Sequence, residues 1–389
     1  MGEMPKNNRR MIIYVVVSNF FLYFGFRIWQ AMFNNFAVEE LGIGPASMGW
    51  VQALRELPGL MGFLLGFLAL FLSEVRIMAL SVVLLGVGSF MTGQATTIPF
   101  LLSSTVLMSI GFHFFYPSNS AVVLMTIDKE HAPKVLGQLS SLGAIAALAA
   151  TGTVYLLAEP LGYRALFMIV GAAVAIGGVA LLFLKQGQEG LPPRRQVVLR
   201  RRYWLYYTLS FLMGSRRHIF TTFAIFLLVR EYGISVQVTA TLFLINSLIN
   251  TYVMQLLGKL VNRWGERLML SLAFGMLIFV FLGYAYVTFL PFLFVLFVVD
   301  NVLFGFNLAL TTYFQKIAVT PEELTSNLSI GQTINHVAAV VVPVAGGAVW
   351  ELFGSRAPFL AGMGIVFISL VLTQFMRAPS KSLPVVIRA

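Results

Sequence analysis

Two stretches of the sequence, EPLGYRALFMIVGA (159–172) and ELFGSRAPFLAGMG (351–364), repeat each other at an offset of 192 residues. The residues that align are Gly162 with Gly354, Arg164 with Arg356, Ala165 with Ala357 and Phe167 with Phe359. The offset is close to half of the 389-residue chain. A repeat of this length predicts two related halves that run in the same direction.

Shorter matches extend the repeat towards the start of each half. The segment FLYFGFRIW (21–29) aligns with FLMGSRRHI (211–219), and this places Arg27 on Arg217. The remaining matches are Gly42 with Gly233 and Ile43 with Ile234. The two halves therefore correspond from their first helix to their last.

The composition is that of an α-helical membrane protein. Hydrophobic residues make up 58% of the chain and charged residues 11%, whereas a soluble domain carries about a quarter charged residues. Mean hydropathy is +0.86. Apolar runs of about twenty residues recur along the chain, long enough to cross ~30 Å of hydrocarbon. These runs are continuous rather than alternating, so they predict helices and not the strands of a barrel.

The apolar runs predict twelve transmembrane helices in two six-helix bundles, an all-α membrane fold. The first bundle is residues 1–184, a basic linker follows at 185–203, and the second bundle is residues 204–389. The predicted spans are 11–38, 49–72, 77–96, 99–127, 138–158, 165–184, 204–229, 238–257, 268–288, 292–317, 330–349 and 358–376.

Positive charge predicts the orientation of these spans. Of the 26 Lys and Arg residues, 19 fall on the side of the termini, 3 on the opposite side and 4 inside spans. Cytoplasmic loops carry such an excess, so both termini are predicted to be cytoplasmic. The same bias explains the net charge of +11 without a nucleic-acid partner. Short loops and compact length favour a multi-pass protein of the bacterial inner (plasma) membrane. The protein is expected to be a monomer.

A loop motif points to a known family. The segment GKLVNRWGER (258–267) is similar to the signature G-x-L-A-D-R-x-G-R-R, although Asn262 replaces its acid. The first-half counterpart, GFLALFLSEVR (66–76), is eroded. With the repeat and the basic linker, the chain resembles the major facilitator superfamily over nearly its whole length. The resemblance implies a secondary transporter with a rocking-bundle, alternating-access mechanism. The motif residues implied to form a cytoplasmic gate loop are Gly258, Arg263, Gly265 and Arg267.

Nine ionisable residues lie inside predicted spans, where such groups are costly and usually functional. They are Arg27, Arg55, Glu56, His113, Arg216, Arg217, His218, Asp300 and His336. None lies in spans 3, 6, 9 or 12, which face lipid in the family fold. Polar residues at helical spacing form stripes on four spans, which predicts a polar cavity. The stripes are Tyr23, Arg27, Gln30 and Asn34 on span 1, His113 and Tyr116 on span 4, Ser210, Gly214, Arg217 and Thr221 on span 7, and Asp300, Asn307, Thr311 and Gln315 on span 10. The predicted substrate-binding residues are Arg27, Gln30, Asn34, His113, Tyr116, Arg217, Asn307 and His336.

The arginines Arg27 and Arg217 favour an anionic substrate. A guanidinium presents a fork suited to carboxylate or phosphate, and the pair resembles that of the organophosphate antiporters of the superfamily. An alternative is structural, with Arg27 paired to Glu56 and Arg217 to Asp300. For His113 and His336, buried polar contacts are the alternative to substrate binding or proton relay.

Glu56 and Asp300 are the two acidic residues inside spans, so they are the candidates for proton coupling or for ion pairs. Arg55 precedes Glu56 in the chain but lies about 100° around the helix.

The predicted function is transport of a small solute, by symport or antiport, with an organic or phosphate-containing anion favoured. No Walker loop, HExxH motif or cysteine occurs, so the chain is predicted not to be an enzyme and to need no cofactor or metal. Two alternatives stay open. One is a proton-driven efflux pump for apolar or cationic compounds, although four arginines against two acids inside the spans speak against it. The other is a transporter-like sensor that binds without translocating.

Overall fold

The computed structural model describes residues 6–126, 132–184 and 199–377, and this part of the chain is almost entirely helical. The predicted linker residues 185–198 and both chain ends lie outside the described residues. The helices are α1 (Lys6–Glu39), α2 (Pro45–Leu60), α3 (Phe63–Leu68), α4 (Glu74–Gln94), α5 (Ile98–Thr126), α6 (Ala132–Leu182), α7 (Trp204–Tyr232), α8 (Val236–Trp264), α9 (Glu266–Tyr286), α10 (Leu290–Phe304), α11 (Asn307–Ile317), α12 (Pro321–Phe353) and α13 (Arg356–Thr373).

The predicted spans fall on these helices, and the all-helical membrane fold is confirmed. Within the described ranges, nine helical stretches are long and apolar enough to cross a membrane. One of them, Ser141–Leu182, covers two predicted spans. The span predicted at 49–72 is divided between α2 and α3, and the apolar part of α8 is only Val236–Asn250. The count of twelve spans therefore stays a prediction.

The repeat is visible in the backbone at four glycines. Gly162 (φ 73°, ψ 164°) interrupts α6, and its partner Gly354 (φ 85°, ψ 173°) ends α12. Gly42 and Gly233 have φ of 60° and 61°. At both, the glycine amide donates to the carbonyl four residues back, at 3.2 and 3.1 Å, and the next amide donates to the carbonyl six residues back, at 3.0 and 3.3 Å. Only glycine adopts these conformations without strain.

The chain forms two compact units, and the first is packed through glycines. It comprises Met1–Pro193 and Ile225–Leu248. A Cβ on Gly88 would lie 2.3 Å from the amide nitrogen of Met108, and a Cβ on Gly111 would lie 2.3 Å from the carbonyl oxygen of Ser81. Small residues at helix interfaces allow backbones to approach closely, the usual way in which membrane helices associate.

The second unit, Arg194–Ala224 with Ile249–Ala389, contains a cluster of aromatic rings. Phe220 lies 5.0 Å from Tyr284 and 5.9 Å from Phe297 between ring centroids. Tyr284 lies 5.2 Å from Phe359. These rings join α7, α9, α10 and α13. The division into bundles at residues 184 and 204 stays a prediction.

Candidate substrate site

The second unit contains a cavity of about 420 Å³ between α7, the α10–α11 junction and α12. Its lining residues are Tyr206, Ser210, Met213, Gly214, Phe304, Asn307, Leu310, Thr311, Leu324, Leu328, Ser329, Gly331, Gln332 and Asn335. Of the predicted substrate residues, Asn307 lines this cavity. Ser210, Gly214 and Thr311 belong to the polar stripes that predicted a cavity on spans 7 and 10.

Local backbone features shape this cavity. The helix of span 10 is broken between Phe304 and Asn307, where Gly305 and Phe306 donate to carbonyls three residues back. On the opposite wall, a Cβ on Gly214 would lie 2.7 Å from the Asn335 side-chain oxygen, and a Cβ on Gly331 would lie 2.3 Å from the Tyr206 hydroxyl. The two glycines therefore let α7 and α12 lie close together and bring their polar side chains to one space.

The cavity lining is polar but uncharged. Side-chain amides come from Asn307, Gln332 and Asn335, and hydroxyls from residues of α7, α11 and α12. His218 lies behind the wall, with Nε2 3.3 Å from the Asn335 oxygen. No Asp, Glu, Lys, Arg or His is among the lining residues in the described part of the chain. Such a lining recognises a solute by hydrogen bonds rather than by counter-charge.

A buried ion pair lies on α7 and α10. Arg216 donates to Asp300 at 2.8 Å, with side-chain exposures of 0% and 5%. Arg217, the next residue, also interacts electrostatically with Asp300, and its guanidinium carbon lies 4.0 Å from the centroid of the Phe304 ring. The alternative paired Arg217 with Asp300, and the 2.8 Å contact with Asp300 is made by the neighbouring Arg216. Arg216 makes it, because its side chain leaves α7 about 100° from that of Arg217.

Arg27 in the first unit has neutral neighbours. Its guanidinium donates a hydrogen bond to the Gln30 side-chain oxygen at 3.0 Å. It also interacts electrostatically with the Tyr116 and Tyr23 hydroxyls. The rings of these tyrosines are 6.0 Å apart. The alternative that paired Arg27 with Glu56 was wrong, because Glu56 is held by other residues. The predicted residues Arg27, Gln30 and Tyr116 are brought together.

Glu56 is the centre of a separate cluster in the first unit. Arg55 donates to it at 2.7 Å, and His113 Nε2 lies 3.6 Å from its second oxygen. The other ring nitrogen of His113 lies 2.9 Å from the Ser109 hydroxyl, which itself donates to the Arg55 carbonyl. Arg55 and Glu56 have side-chain exposures of 17% and 12%, so this pair is less buried than that of Arg216 and Asp300.

Two further predicted residues, Asn34 and His336, are not among the residues that line the cavity. Asn34 is buried on α1, and His336 is half-buried on α12, outside the lining of the cavity. The sequence analysis missed the neighbouring residue Asn335, together with Gln332 and Phe304. The amides of Gln332 and Asn335 stand three residues apart on α12, a spacing that marks a polar stripe in the sequence itself. Phe304 carries no such signal, because an aromatic residue in an apolar span looks like ordinary packing.

The motif of the predicted gate loop is held within the second unit. Gly265 has a φ of 79° and precedes α9. Glu266 pairs with Lys316 at 2.6 Å, and Arg267 donates to the Gln374 oxygen at 3.1 and 3.3 Å. Gly258 lies near Leu308 and Arg263 is exposed. These contacts fix the loop to the ends of α11 and α13, while its role as a gate stays a prediction.

Comparisons with known proteins define the class. The family model of the Major Facilitator Superfamily matches residues 15–318, more than half of the chain, so the chain belongs to this superfamily. It is a multi-pass membrane transporter of a small solute, as predicted. No curated protein sequence matches it.

Solved structures of two transporters share the fold. The crystal structure of the nucleoside transporter NupG has a TM-score of 0.74 at 17% identity, covering 94% of this chain and 98% of that one. A bacterial homologue of the human lysosomal transporter Spinster, inward-facing and occupied, has a TM-score of 0.78 at 15% identity, with coverages of 96% and 97%. Identities this low establish similarity of fold alone.

Proposed function

We propose that this transporter carries a small, uncharged, polar organic solute and that the cavity of the second unit holds it. The observation that carries the proposal is the lining, which offers amides, hydroxyls and aromatic rings but no charged side chain in the described residues. Amides both donate and accept hydrogen bonds, so they can match a neutral solute. A charged solute would lose its hydration there without gaining a counter-charge.

Nucleosides are one solute class with these properties. A cavity of about 420 Å³ lies within the range of roughly 300–1,000 Å³ typical of small-molecule sites. Phe304 and Tyr206 offer rings on which a base can stack, and the three amides can bond to its edge. One structural neighbour is a nucleoside transporter, which adds to the case for this chemistry.

An anion is the second candidate, and Arg27 favours it. Among the described residues, no carboxylate pairs with Arg27, whose hydrogen bond goes to the neutral Gln30. A guanidinium in a membrane helix without an acid beside it attracts an anion. The second candidate therefore places recognition in the first unit, beside Tyr23 and Tyr116.

A matched pair of ligands separates the two candidates. Uridine and uridine 5′-monophosphate differ by one phosphate, and each is added to the purified protein in a thermal-shift assay at two pH values. We expect stabilisation by uridine that is lost in Asn335→Leu, which removes an amide and fills the cavity. Stabilisation by the monophosphate alone, lost in Arg27→Lys, would instead establish the anion.

The thermal-shift assay, together with counterflow in proteoliposomes, also tests the two other classes of function. Stabilisation by cationic drugs and not by either uridine compound indicates an efflux pump. Binding without counterflow in proteoliposomes indicates a sensor. Uridine counterflow is the result that we expect from a transporter.

In this proposal Glu56 is the residue that binds and releases the coupling proton. Its carboxylate lies between Arg55 and His113 and is more exposed than Asp300, so protons can reach it more easily. We expect Glu56→Gln to remove the dependence of uptake on a proton gradient. Asp300→Asn serves as the comparison, and full proton-driven uptake by both variants would show that neither residue carries the proton.

Alternating access by rocking bundles and a cytoplasmic location of both termini complete the proposal. The family supports the first, and the excess of Lys and Arg on one side supports the second. Reporter fusions at the two termini measure the orientation directly. Activity of a cytoplasm-specific reporter at both ends is the expected result.

A further inference from the structure

The ring of Phe304 lines the second-unit cavity and also contacts Arg217, which is half-buried. Phe304 is among the residues that line the cavity, whereas Arg217 is not. The Arg217 guanidinium carbon lies 4.0 Å from the ring centroid, so it lies against a face of the ring. The neighbouring guanidinium of Arg216 is 5.6 Å from the same centroid and is committed to Asp300 at 2.8 Å.

The backbone of α10 fixes this arrangement. Phe304 is the last residue of α10, immediately before the break at Gly305. Asp300 lies four residues earlier, on the same face of the helix. The ion pair of Asp300 with Arg216 therefore orients α10 so that the Phe304 ring meets Arg217, the next residue of α7.

We propose that Phe304 determines the charge specificity of the cavity, because its ring covers Arg217 and keeps this charge away from the solute. An uncovered guanidinium binds phosphate or carboxylate through its fork. A covered one leaves the cavity to its amides and hydroxyls. This inference rests on the proposed function, in which the cavity holds an uncharged solute.

The first test measures whether the Phe304 ring shields Arg217 from a reagent, and it requires no known substrate. Phenylglyoxal, which modifies arginine, is applied to the purified protein, and the rate at Arg217 is read by peptide mass spectrometry. We expect Phe304→Ala to raise this rate about tenfold or more, and Phe304→Tyr to leave it unchanged because the ring is kept. Arg216, with 0% side-chain exposure, is the internal control and should stay unmodified.

The second test measures specificity with uridine and uridine 5′-monophosphate. We expect Phe304→Ala to shift the ratio of their affinities towards the monophosphate by about tenfold or more, and Arg217→Gln in the same background to reverse the shift. If Phe304→Ala fails to fold, Phe304→Leu replaces it, since leucine fills space without a flat ring. An unchanged labelling rate in the folded variant would overturn the proposal.

The two tests fail in different ways. If the wild type binds neither uridine compound, the proposed function fails for this solute class, while labelling still decides whether Phe304 covers Arg217. If labelling rises but the affinity ratio does not move, the ring is a cover without a role in specificity, and the inference is wrong.

Discussion

The two repeats of this transporter agree at their ends and differ in their interiors. Gly42 and Gly233 end equivalent helices with matching hydrogen bonds. In contrast, Arg27 lies among tyrosines and an amide, whereas the aligned Arg217 lies against the Phe304 ring. Turn geometry tolerates few substitutions, because positive φ requires glycine. Interior side chains can change without altering the helices. The two repeats therefore share a backbone structure but surround their aligned arginines with different side chains.

The ion pairs show the same divergence. Arg55 and Glu56 are neighbours in one helix and partly exposed, at 17% and 12%. Arg216 and Asp300 join two helices and are almost fully buried, at 0% and 5%. A buried pair is costly to break, because removing one partner leaves an uncompensated charge. The comparison therefore predicts that the second unit depends on its ion pair and the first does not.

The largest expected effect is that of Asp300→Ala. Leaving Arg216 buried without its partner should cost about 3–5 kcal/mol, seen as a lower melting temperature or loss of folded protein in detergent. The matched change in the first unit, Glu56→Ala, should cost less, because the Arg55 and Glu56 side chains keep exposures of 17% and 12% and a less buried charge is less costly to leave unpaired.

Replacing both partners sharpens this test. In the double variant of Asp300→Leu and Arg216→Met no charge is left unpaired, so most of the lost stability should return. Equal losses for Asp300→Ala and Glu56→Ala would break the comparison between the two pairs.

A second effect concerns glycine packing, which is denser in the first unit. Gly88→Ala places a Cβ against the backbone of Met108 and should cost about 3 kcal/mol, the upper part of the range for overpacked sites. Gly275→Ala is the matched control in the second unit, because nothing lies within 4 Å of its added Cβ. Thermal melting of both variants measures the difference, and a control as unstable as Gly88→Ala would contradict it.

A third, smaller effect should be equal in the two repeats. Gly162 and Gly354 have φ of 73° and 85° with nothing near an added Cβ. Alanine at either position should cost about 1–3 kcal/mol through backbone strain alone, because ψ of 164° and 173° places both residues in a region that is essentially restricted to glycine. Melting temperatures that fall by similar amounts would extend the agreement of the repeats to energetics, whereas a large difference would limit it to geometry.

The smallest effect is a pH dependence at the start of the second unit. The Glu323 carboxylate accepts hydrogen bonds from Tyr203 at 2.5 Å and Arg200 at 3.1 Å, and these hold the pKa of Glu323 below its ordinary value of 4.5. A lowered pKa stabilises the fold above that value, and the contribution is lost as the pH falls through the folded pKa.

The melting temperature of Glu323→Gln should therefore lie below that of the wild type by a constant amount from neutral pH down to about pH 5. The difference should shrink below pH 4.5. Tyr14→Phe is the control from the first unit, since Tyr14 donates to the Val75 carbonyl, which does not titrate. A difference for Glu323→Gln that persists undiminished in acid would contradict the assignment.

Helices, the repeat and part of the cavity could be predicted from sequence. Apolar run length identifies membrane helices, because the bilayer fixes the length required. Helical periodicity correctly grouped Asn307 and Thr311 on one face, and both line the cavity.

The ion-pair partners of the charged side chains inside the helices could not be predicted from the sequence. Arg216 and Arg217 are adjacent, and which of them faces Asp300 depends on the rotation of α7 about its axis. That rotation is set by packing against neighbouring helices. The role of Phe304 was hidden for a related reason, because an aromatic side chain serves equally well as packing and as a site wall.

Binding of uridine to the purified protein, compared between Asn335→Leu and Arg27→Gln, tests the central claim most directly. The account predicts that Asn335→Leu weakens binding about tenfold or more, the loss of at least one good hydrogen bond plus steric filling. It also predicts that Arg27→Gln leaves the affinity within about twofold. Unchanged affinity in Asn335→Leu together with lost binding in Arg27→Gln would contradict a solute site in the second-unit cavity.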